Sequence, residues 1–537
     1  MQPRVPALVK ADGLTPLRRD AAVDSNWPGA SFARGMRDWR VSRGSADGDN
    51  GPEADIAAWR GRDLERHEGQ VYSAIQQQVL AIVGEGLDAV PTPDWKTLGK
   101  DKLWAEQWSR VVRGLFRNWA RTTDCDASRT ETLGFMGSEL LTSTIVSGSG
   151  VAVPYYLPDN GLTRFGTCFR VVEADRLSNP DFLPDTATRR RGIELDPETG
   201  APKGYWICSA HPGDALGMLA QGVKREWTYI PAFTSWGRRR LVHVYPRRRP
   251  EQSFGISQLA SVGGEVRDIG KIRRAELRNQ VVTSALALIV KSSLNPEQVM
   301  QMFKSSPNYG YWQMYYDKEF RPQVTDDGAT VVAPPGTEVT TLNAQRNAQN
   351  FEAFLKASWR QVMAGLDIPY EIGARDYGGL NYSNARTILL DAWRTFYTKR
   401  TWMGQRFFDP VFQCWFEEAV HLGLIPDCTP ELLYAPGMAT AWTACRWLGS
   451  GKGWIDPLKE AQAQTTRMGN YTTTMLSECG DTGEDWMETA DQQEIERAYY
   501  HSKKMEYPLD VAARNPRALA GAAGDPREGD GNSDREH

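Results

Sequence analysis

The sequence predicts an α+β fold in which helical segments flank a β-rich middle third. Apolar residues recur every three to four positions within 63–145 and again from residue 257 onward, a pattern that is typical of amphipathic helices. Between these segments, residues 150–246 contain short β-branched and aromatic runs separated by Gly, Pro, Asp and Asn, as strands joined by turns do. We found no internal repeat.

The composition excludes a disordered chain and a strongly cationic nucleic-acid binder. The 537 residues are 41% hydrophobic and 24% charged, and 63 Lys and Arg against 67 Asp and Glu give a net charge of −4. Any role with DNA therefore has to be local. The longest apolar stretch, Val281–Val290, is half the roughly 20 residues that cross a bilayer, and the N-terminus lacks a signal-like apolar segment. We expect neither membrane insertion nor secretion.

The first half is predicted to begin with an arm and continue through helices into strands. Residues 1–55 are rich in Gly, Pro, Arg and Asp with little periodicity, which predicts an extended arm or a partly disordered leader. Helices are expected at Asp63–Val83, Asp101–Arg121 and Thr130–Ile145 because each has a periodic apolar face. The strand-like runs that follow are VAVPYYLP, TCFRVVEA, KGYWICSA, EWTYIPA and RLVHVYP.

The second half is predicted to be mostly helical. Loop- and strand-like sequence at 291–342 separates the first two helices, and the Gly-rich loop GARDYGGLNYS precedes the third, in which Pro410 predicts a kink. From Pro508 onward the composition predicts a disordered tail. The helices are expected at Ser257–Val290, Asn343–Leu366, Asn384–Leu422 and Asp456–Tyr507.

No motif for catalysis, a cofactor or a metal is visible. The segment Gly449–Trp454 reads GSGKGW, but a phosphate-binding loop needs Gly where Arg446 stands and Ser or Thr where Gly453 stands. The six His are scattered, and the seven Cys form no C-x-x-C pair, which favours reduced thiols. The 19 Trp indicate extensive packing or subunit contact. We expect neither enzyme activity nor a cofactor.

Charge is segregated along the chain. Residues 479–537 hold 14 acidic and 7 basic side chains, whereas 189–249 hold 12 basic and 5 acidic ones. The basic segment contains the triplets 189–191, 238–240 and 247–249, which could contact phosphates or an acidic partner, or could simply be solvated strand ends.

A second basic feature is a stripe on the helix that follows Gly264. Arg267, Lys271, Arg274 and Arg278 follow one another at steps of four, three and four, so they share one helical face. Such a face suits an anionic partner. Glu265, Asp268 and Glu276 lie close enough to give instead a salt-bridged surface or a subunit interface. Both readings stay open at this point.

The order of these elements, together with several sequence stretches, resembles the lambda-like family of tailed-bacteriophage portal proteins. The most specific stretch is DIPYEIGARDYGGLNYSNAR, and the similarity runs from about Gly13 to Tyr507. The other stretches are GLTPLRRDAA, GRDLERHEGQVYSAIQQQVLAIVGEG, PDWKTLG, RLVHVYPRRRPEQSFGIS, FQCWFEEAV and WLGSGKGWIDPLKEAQA.

The resemblance implies a portal-type fold, in which a helical wing contains the β-rich module, paired stem helices carry a small α/β clip, and a long kinked tunnel helix leads to a helical crown. The implied boundaries are 1–55 for the arm, 56–256 for the wing, 257–290 and 343–368 for the stem helices, 291–342 for the clip, 369–383 for the tunnel loop, 384–455 for the tunnel helix and wing return, 456–507 for the crown and 508–537 for the tail.

It also implies a function. Members of the family form a ring of about twelve subunits at one capsid vertex. The ring conducts double-stranded DNA, which it contacts weakly and without sequence preference, during terminase-driven packaging and ejection. Its other partners are the terminase large subunit, head-completion or connector proteins, and the capsid and scaffold proteins. The protein is then a virion component assembled in the host cytoplasm.

The loop residues that the resemblance places at the channel constriction are Arg375, Tyr377, Gly378, Gly379 and Asn381. Arg375 is the candidate for a phosphate contact, and the neighbouring Asp376 could cancel its charge. An ordinary loop before a helix capped by Ser383 or Asn384 is the other interpretation. The alternative function is a DNA-binding or DNA-processing component of the packaging machinery that forms no ring.

Overall fold

The structure of the chain is a computed structural model, which describes residues 43–158, 162–214, 225–285, 289–290, 331–332, 348–451, 457–508 and 510–511. The predicted clip lies almost entirely outside these residues, as do most of the predicted arm and tail.

Helices dominate both ends of the described chain, as the apolar periodicity predicts. They are α1 Ala46–His67, α2 Gly69–Ile82, α3 Lys102–Ala120, α4 Leu133–Val146, α5 Gly263–Ala285, α6 Ala348–Gly365, α7 Tyr370–Gly373, α8 Tyr382–Met403, α9 Asp409–His421, α10 Pro430–Leu433, α11 Met438–Thr443, α12 Pro457–Gly469, α13 Met475–Thr482 and α14 Trp486–Ser502. None of these described helices is both long enough and apolar enough to span a membrane.

The strands lie mainly in the middle third, which confirms the mixed α and β prediction. They are β1 Asp88–Pro91, β2 Gly150–Tyr156, β3 Thr167–Val172, β4 Arg189–Arg190, β5 Ile193–Leu195, β6 Pro202–Cys208, β7 Trp227–Pro231, β8 Val242–Val244, β9 Ile289–Val290, β10 Val331–Val332 and β11 Cys445–Leu448. Antiparallel pairing gives the sheets β3-β2-β8 and β4-β5-β6-β7, while β1 pairs with β11 and the short β9 and β10 pair in parallel.

The main core is aromatic and lies between α3, α9 and the β3-β2-β8 sheet. The Phe116 ring packs edge-on against Phe412 and Trp415, with centroids 5.2 and 5.0 Å apart. The Trp119 indole is fully buried and donates its N–H to the Thr167 carbonyl at 3.0 Å. Close packing of several large rings excludes water over a wide area, so the hydrophobic effect holds this region together. We call these four rings and Trp108 the aromatic core.

The first helix begins earlier than the sequence predicts. The prediction of an arm to residue 55 is wrong for 46–55, which already belong to α1. Its start is fixed by the Ser45 side chain, which accepts from the Gly48 N–H at 3.1 Å, and by tertiary contacts of Asp47. The buried Asp47 carboxylate accepts from the Ser253 N–H at 3.0 Å and from the Ser253 hydroxyl at 2.6 Å. Contacts over some 200 positions of sequence are invisible to a local pattern.

The predicted single helix Asp63–Val83 is two helices. The chain breaks at Glu68, whose φ of −117° and ψ of 101° are extended, and Gly69 starts α2. The Glu68 carboxylate is buried and pairs with Arg273 of α5 at 3.1 Å. The break thus ends α1 and places the Glu68 carboxylate against α5.

The long helix predicted at Asn384–Leu422 is interrupted before the proline. A π-helical turn, Gly404–Phe408, separates α8 from α9, and Pro410 lies in the first turn of α9. Proline has no N–H to donate to the preceding turn, and a wider turn just before it accommodates this loss.

The predicted helical segment 456–507 is resolved as α12, α13 and α14, which we call the C-terminal helices. Neither α12 nor α14 contains a buried residue. Helix α14 is attached to α3 through charge: Arg113 lies 2.7 Å from Asp485, and Arg117 lies 2.9 Å from Glu488.

Candidate nucleic-acid interface

The predicted tunnel loop connects α7 to α8 on the described surface. Helix α6 ends at Gly365, the short α7 follows Pro369, and α8 begins at Tyr382. The cap of α8 is Asn381, whose side-chain oxygen accepts from the Asn384 N–H at 2.8 Å. The expectation of a cap at Ser383 or Asn384 is therefore wrong. Asn381 is exposed, but its amide oxygen is already engaged as the acceptor of the Asn384 N–H.

Arg375 is exposed at the start of the loop, and its guanidinium is directed toward α2. With the Gln77 amide oxygen facing it, Nε and Nη2 of Arg375 donate to that oxygen at 3.1 and 2.6 Å. The backbone of Arg375 has a φ of 55°, in the left-handed region that non-glycine residues rarely adopt. The surrounding contacts hold Arg375 in this conformation.

Asp376 does not pair with Arg375. Its carboxylate accepts from Lys356 of α6 at 2.6 Å, from the Tyr370 hydroxyl at 3.2 Å and from the Gly378 N–H at 3.2 Å. The hydrogen bond from Lys356 is the main cause that lowers the pKa of Asp376 below its ordinary value. The interpretation that Asp376 cancels the charge of Arg375 is wrong, because the Asp376 carboxylate is paired with the Lys356 ammonium instead.

The tip of the loop is open. Tyr377 is 60% exposed, and Gly378 and Gly379 are exposed as well. Gly379 has a φ of 74°, and a Cβ added there would meet no atom within 4 Å. Glycine is required at Gly379 by backbone conformation and not by space. The five predicted loop residues thus lie in one exposed segment.

The predicted basic face of α5 is exposed throughout. Arg267, Lys271, Arg274 and Arg278 all face solvent, whereas Val266 and Ile269 on the opposite side are buried. Lys271 forms an ion pair with Asp268 at 2.8 Å. Within the described residues, no hydrogen bond or ion pair joins this face to the loop.

Each Arg triplet has at least one member paired with a carboxylate of the same chain. Arg190 pairs with Asp47 and Arg249 with Asp49, both at 2.7 Å, which ties β4 and the loop after β8 to α1. Arg238 pairs at 2.6 Å with the buried Glu417. For Arg190, Arg238 and Arg249, these contacts favour a structural role over phosphate binding. The acidic partners on α1 fall in the segment predicted to be an arm.

Sequence reasoning missed the residues that anchor the loop. Gln77, Lys356 and Tyr370 lie on three different helices, and only the fold brings them to Arg375 and Asp376. No spacing rule predicts contacts of this kind. Within the described residues, no group of His, Cys, Asp or Glu side chains is arranged to hold a metal ion.

Comparison with known proteins decides the family. Residues 32–400 match the family model described as phage portal protein, lambda family. The chain belongs to the lambda family of phage portal proteins. It is 27% identical to the portal protein of Escherichia phage N15 and 26% identical to portal protein B of Escherichia phage lambda, in each case over 95% of this chain and 96% of the relative.

Family membership confirms the resemblance that the sequence stretches indicate. It assigns the chain to a class of structural proteins of the phage virion. Among solved structures, the chain is similar to a chain in the virion of a native gene transfer agent particle, with 12% identity and a TM-score of 0.34 over 74% of this chain and 95% of that one.

Proposed function

We propose that this chain assembles into a ring of about twelve copies at one capsid vertex and conducts double-stranded DNA during packaging and ejection. The observation that carries the proposal is the family match over residues 32–400, joined to relatives that are aligned with 95% of the chain. Both phage relatives are portal proteins by name.

Exposed apolar side chains support side-by-side contact between copies. On the C-terminal helices, Ile495 and Tyr499 are 63% and 62% exposed, and Leu103 of α3 is 64% exposed. A ring needs two different surfaces on each subunit that fit one another, and apolar residues are what such surfaces bury.

The charge of the exposed loop suits a conduit. Each phosphate that a protein neutralises adds to affinity through counterion release. The logarithm of the binding constant then falls with the logarithm of the salt concentration, with a slope near −0.9 per contact. A ring multiplies every such contact by its subunit number. DNA slides easily only where basic contacts are few, and residues 375–381 contain one basic residue, Arg375. Backbone-directed contacts of this kind carry no sequence preference.

The portal assignment extends to parts and partners. We propose that α5 and α6 are the stem helices, that 291–342 form the clip, that 56–256 form the wing, and that the C-terminal helices form the crown. Docking partners would then be the terminase large subunit, head-completion or connector proteins, and the capsid and scaffold proteins. We propose assembly in the host cytoplasm, with no catalytic activity and no cofactor of its own.

The oligomeric state is the first test. Native mass measurement and negative-stain microscopy of the full-length protein should show rings with a central hole. A monomer of 60.1 kDa with salt-sensitive DNA affinity would favour the alternative, a DNA-binding component that forms no ring. Nuclease and ATPase assays complete the comparison, since turnover abolished by a point change in this chain would overturn the structural assignment.

The loop is the second test. Replacing Gly379 with Val, alone or together with Gly378→Val, should leave the rings intact and block DNA packaging, because the left-handed φ at Gly379 is closed to a β-branched residue. Gly423→Val is the matched control, since Gly423 has a φ of 68° and equally open surroundings outside the loop. Normal packaging by the Gly379 variant would show that the constriction lies elsewhere.

A further inference from the structure

The loop has a fixed root and an open tip. At the root, Arg375 and Asp376 each contact a different part of the fold, with Gln77 of α2 on one side and Lys356 of α6 on the other. At the tip, Tyr377 and the two glycines are exposed. The division between root and tip falls between residues 376 and 377.

The Asp376 carboxylate joins three parts of the chain at one point. It accepts a charge-assisted hydrogen bond from Lys356, a hydrogen bond from the Tyr370 hydroxyl and a local one from the Gly378 N–H. The Lys356 ammonium also lies over the Tyr370 ring, 5.6 Å from its centroid. The acceptor, its two side-chain donors and the aromatic face form one connected unit.

The backbone at the root is held in a costly conformation. A φ of 55° at Arg375 persists in a non-glycine residue only where surrounding contacts over-determine it. Gln77 and Asp376 supply such contacts on the two sides of this residue. The direction in which the tip leaves the surface is therefore set by side-chain contacts and not by the tip itself.

We propose that Asp376 is the positioning residue of the loop, which it holds to α6 and α7 through Lys356 and Tyr370 so that Tyr377 and the glycines project in one direction. The consequence for DNA conduction rests on the function proposed above. The anchoring itself does not, because it is a property of the single chain. Arg375 then helps to fix the root through its contact with Gln77, and the exposed tip is the part that can contact a passing DNA backbone.

The test leaves the loop sequence unchanged and alters its partner. In full-length protein, Lys356→Gln removes the ammonium donor, while Lys356→Arg keeps a cation that reaches Asp376. Tyr370→Phe removes the second donor. Lys271→Gln is the control, because Lys271 forms an ion pair of similar length, 2.8 Å, with Asp268 on α5 and has no hydrogen bond or ion pair with the loop among the described residues.

The readout is the initial rate of trypsin cleavage after Arg375, identified by mass spectrometry. We expect Lys356→Gln to raise this rate about fivefold, and Tyr370→Phe to raise it less, with wild-type rates in Lys356→Arg and Lys271→Gln. An unchanged melting temperature would show that the effect is local. A wild-type cleavage rate in Lys356→Gln, or an equal rise in Lys356→Arg, would overturn the proposal.

DNA packaging by the same variants tests the consequence. Packaging should fall in Lys356→Gln and recover in Lys356→Arg. Normal packaging by rings whose loop is cleaved faster would overturn the positioning role in conduction. Failure of the wild-type protein to form rings would instead overturn the proposed function, and the cleavage result would stand apart from it.

Discussion

The aromatic core and the C-terminal helices are held together by different forces. In the core, the rings of Phe116, Phe412 and Trp415 pack at centroid distances of 5.0 to 5.8 Å with no access to water. In the C-terminal helices, α12 and α14 bury no residue, and α14 is attached to α3 through ion pairs. The core is therefore expected to be stable in the single chain, whereas the C-terminal helices depend on a few charges until something covers their apolar side chains.

The largest expected effect lies in the core. Replacing the fully buried Trp415 with Ala should lower the free energy of unfolding by about 3 to 5 kcal/mol, because the lost ring leaves a cavity between its neighbours. Urea denaturation followed by far-UV circular dichroism measures it. The control is Tyr471→Ala, at a side chain that is 94% exposed, where a change of more than about 0.5 kcal/mol would be unexpected.

The second effect is expected in the C-terminal helices and, because Arg113 also pairs with Asp88, in β1. Replacing Arg113 with Met leaves the Asp485 carboxylate, 1% exposed, without its cation at the start of α14. Breaking a buried pair in this way costs about 3 kcal/mol. Hydrogen exchange should accelerate in peptides that cover 485–502 and stay unchanged in α9.

A matched variant separates burial from charge. Arg110 pairs with Asp491 at 3.1 Å, but both side chains are more than half exposed. Arg110→Met should change the same exchange rates little, since exposed pairs contribute at most about 1 kcal/mol. Equal acceleration in both variants, or acceleration that reaches the aromatic core, would contradict the division between the two regions.

The smallest effect concerns pH and Asp88, which links the two regions through α3. Burial raises the pKa of Asp88, but hydrogen bonds from Arg117 and Arg113 outweigh burial and hold the pKa below the ordinary value of 3.8. Because the pKa of Asp88 is lower in the folded than in the unfolded chain, the ionised carboxylate stabilises the fold at pH values above 3.8. This stabilisation is lost as the pH falls below 3.8 and through the pKa of the folded state.

Urea midpoints between pH 5 and pH 2.5 test this linkage. The wild type should lose more stability over this range than Asp88→Asn, which has no carboxyl group to titrate. If the two proteins lose equal stability as the solution is acidified, Asp88 makes no contribution of this kind.

Much of the secondary structure follows from local pattern. The Asp101–Arg121 prediction agrees with α3 to one residue at each end, because Asp101 is a capping residue whose carboxylate accepts from the Trp104 N–H at 2.7 Å. The family follows from the stretch around the loop. The local pattern does not contain the contacts between residues that are far apart in the sequence.

The wrong predictions of helix boundaries share one cause, which is a contact with a residue far away in the sequence. The start of α1 depends on Asp47 meeting Ser253, and the break at Glu68 depends on Arg273. In the candidate interface, the sequence is sufficient to place five residues in one exposed loop. It is not sufficient to show that Asp376 pairs with Lys356, because only the fold brings α6 beside the loop.

The π-helical turn at 404–408 has a consequence for chain length. A π turn holds one residue more than an α turn, so deleting one residue there would let α8 and α9 join as one regular helix. The wider turn absorbs the extra residue, so the deletion would leave α8 and α9 close to their present rotation about the helix axis. The loop at the far end of α8 would then keep nearly the same direction. An insertion or deletion inside α8 itself has no such turn to absorb it and would rotate the loop by about 100°, since 3.6 residues make a full turn.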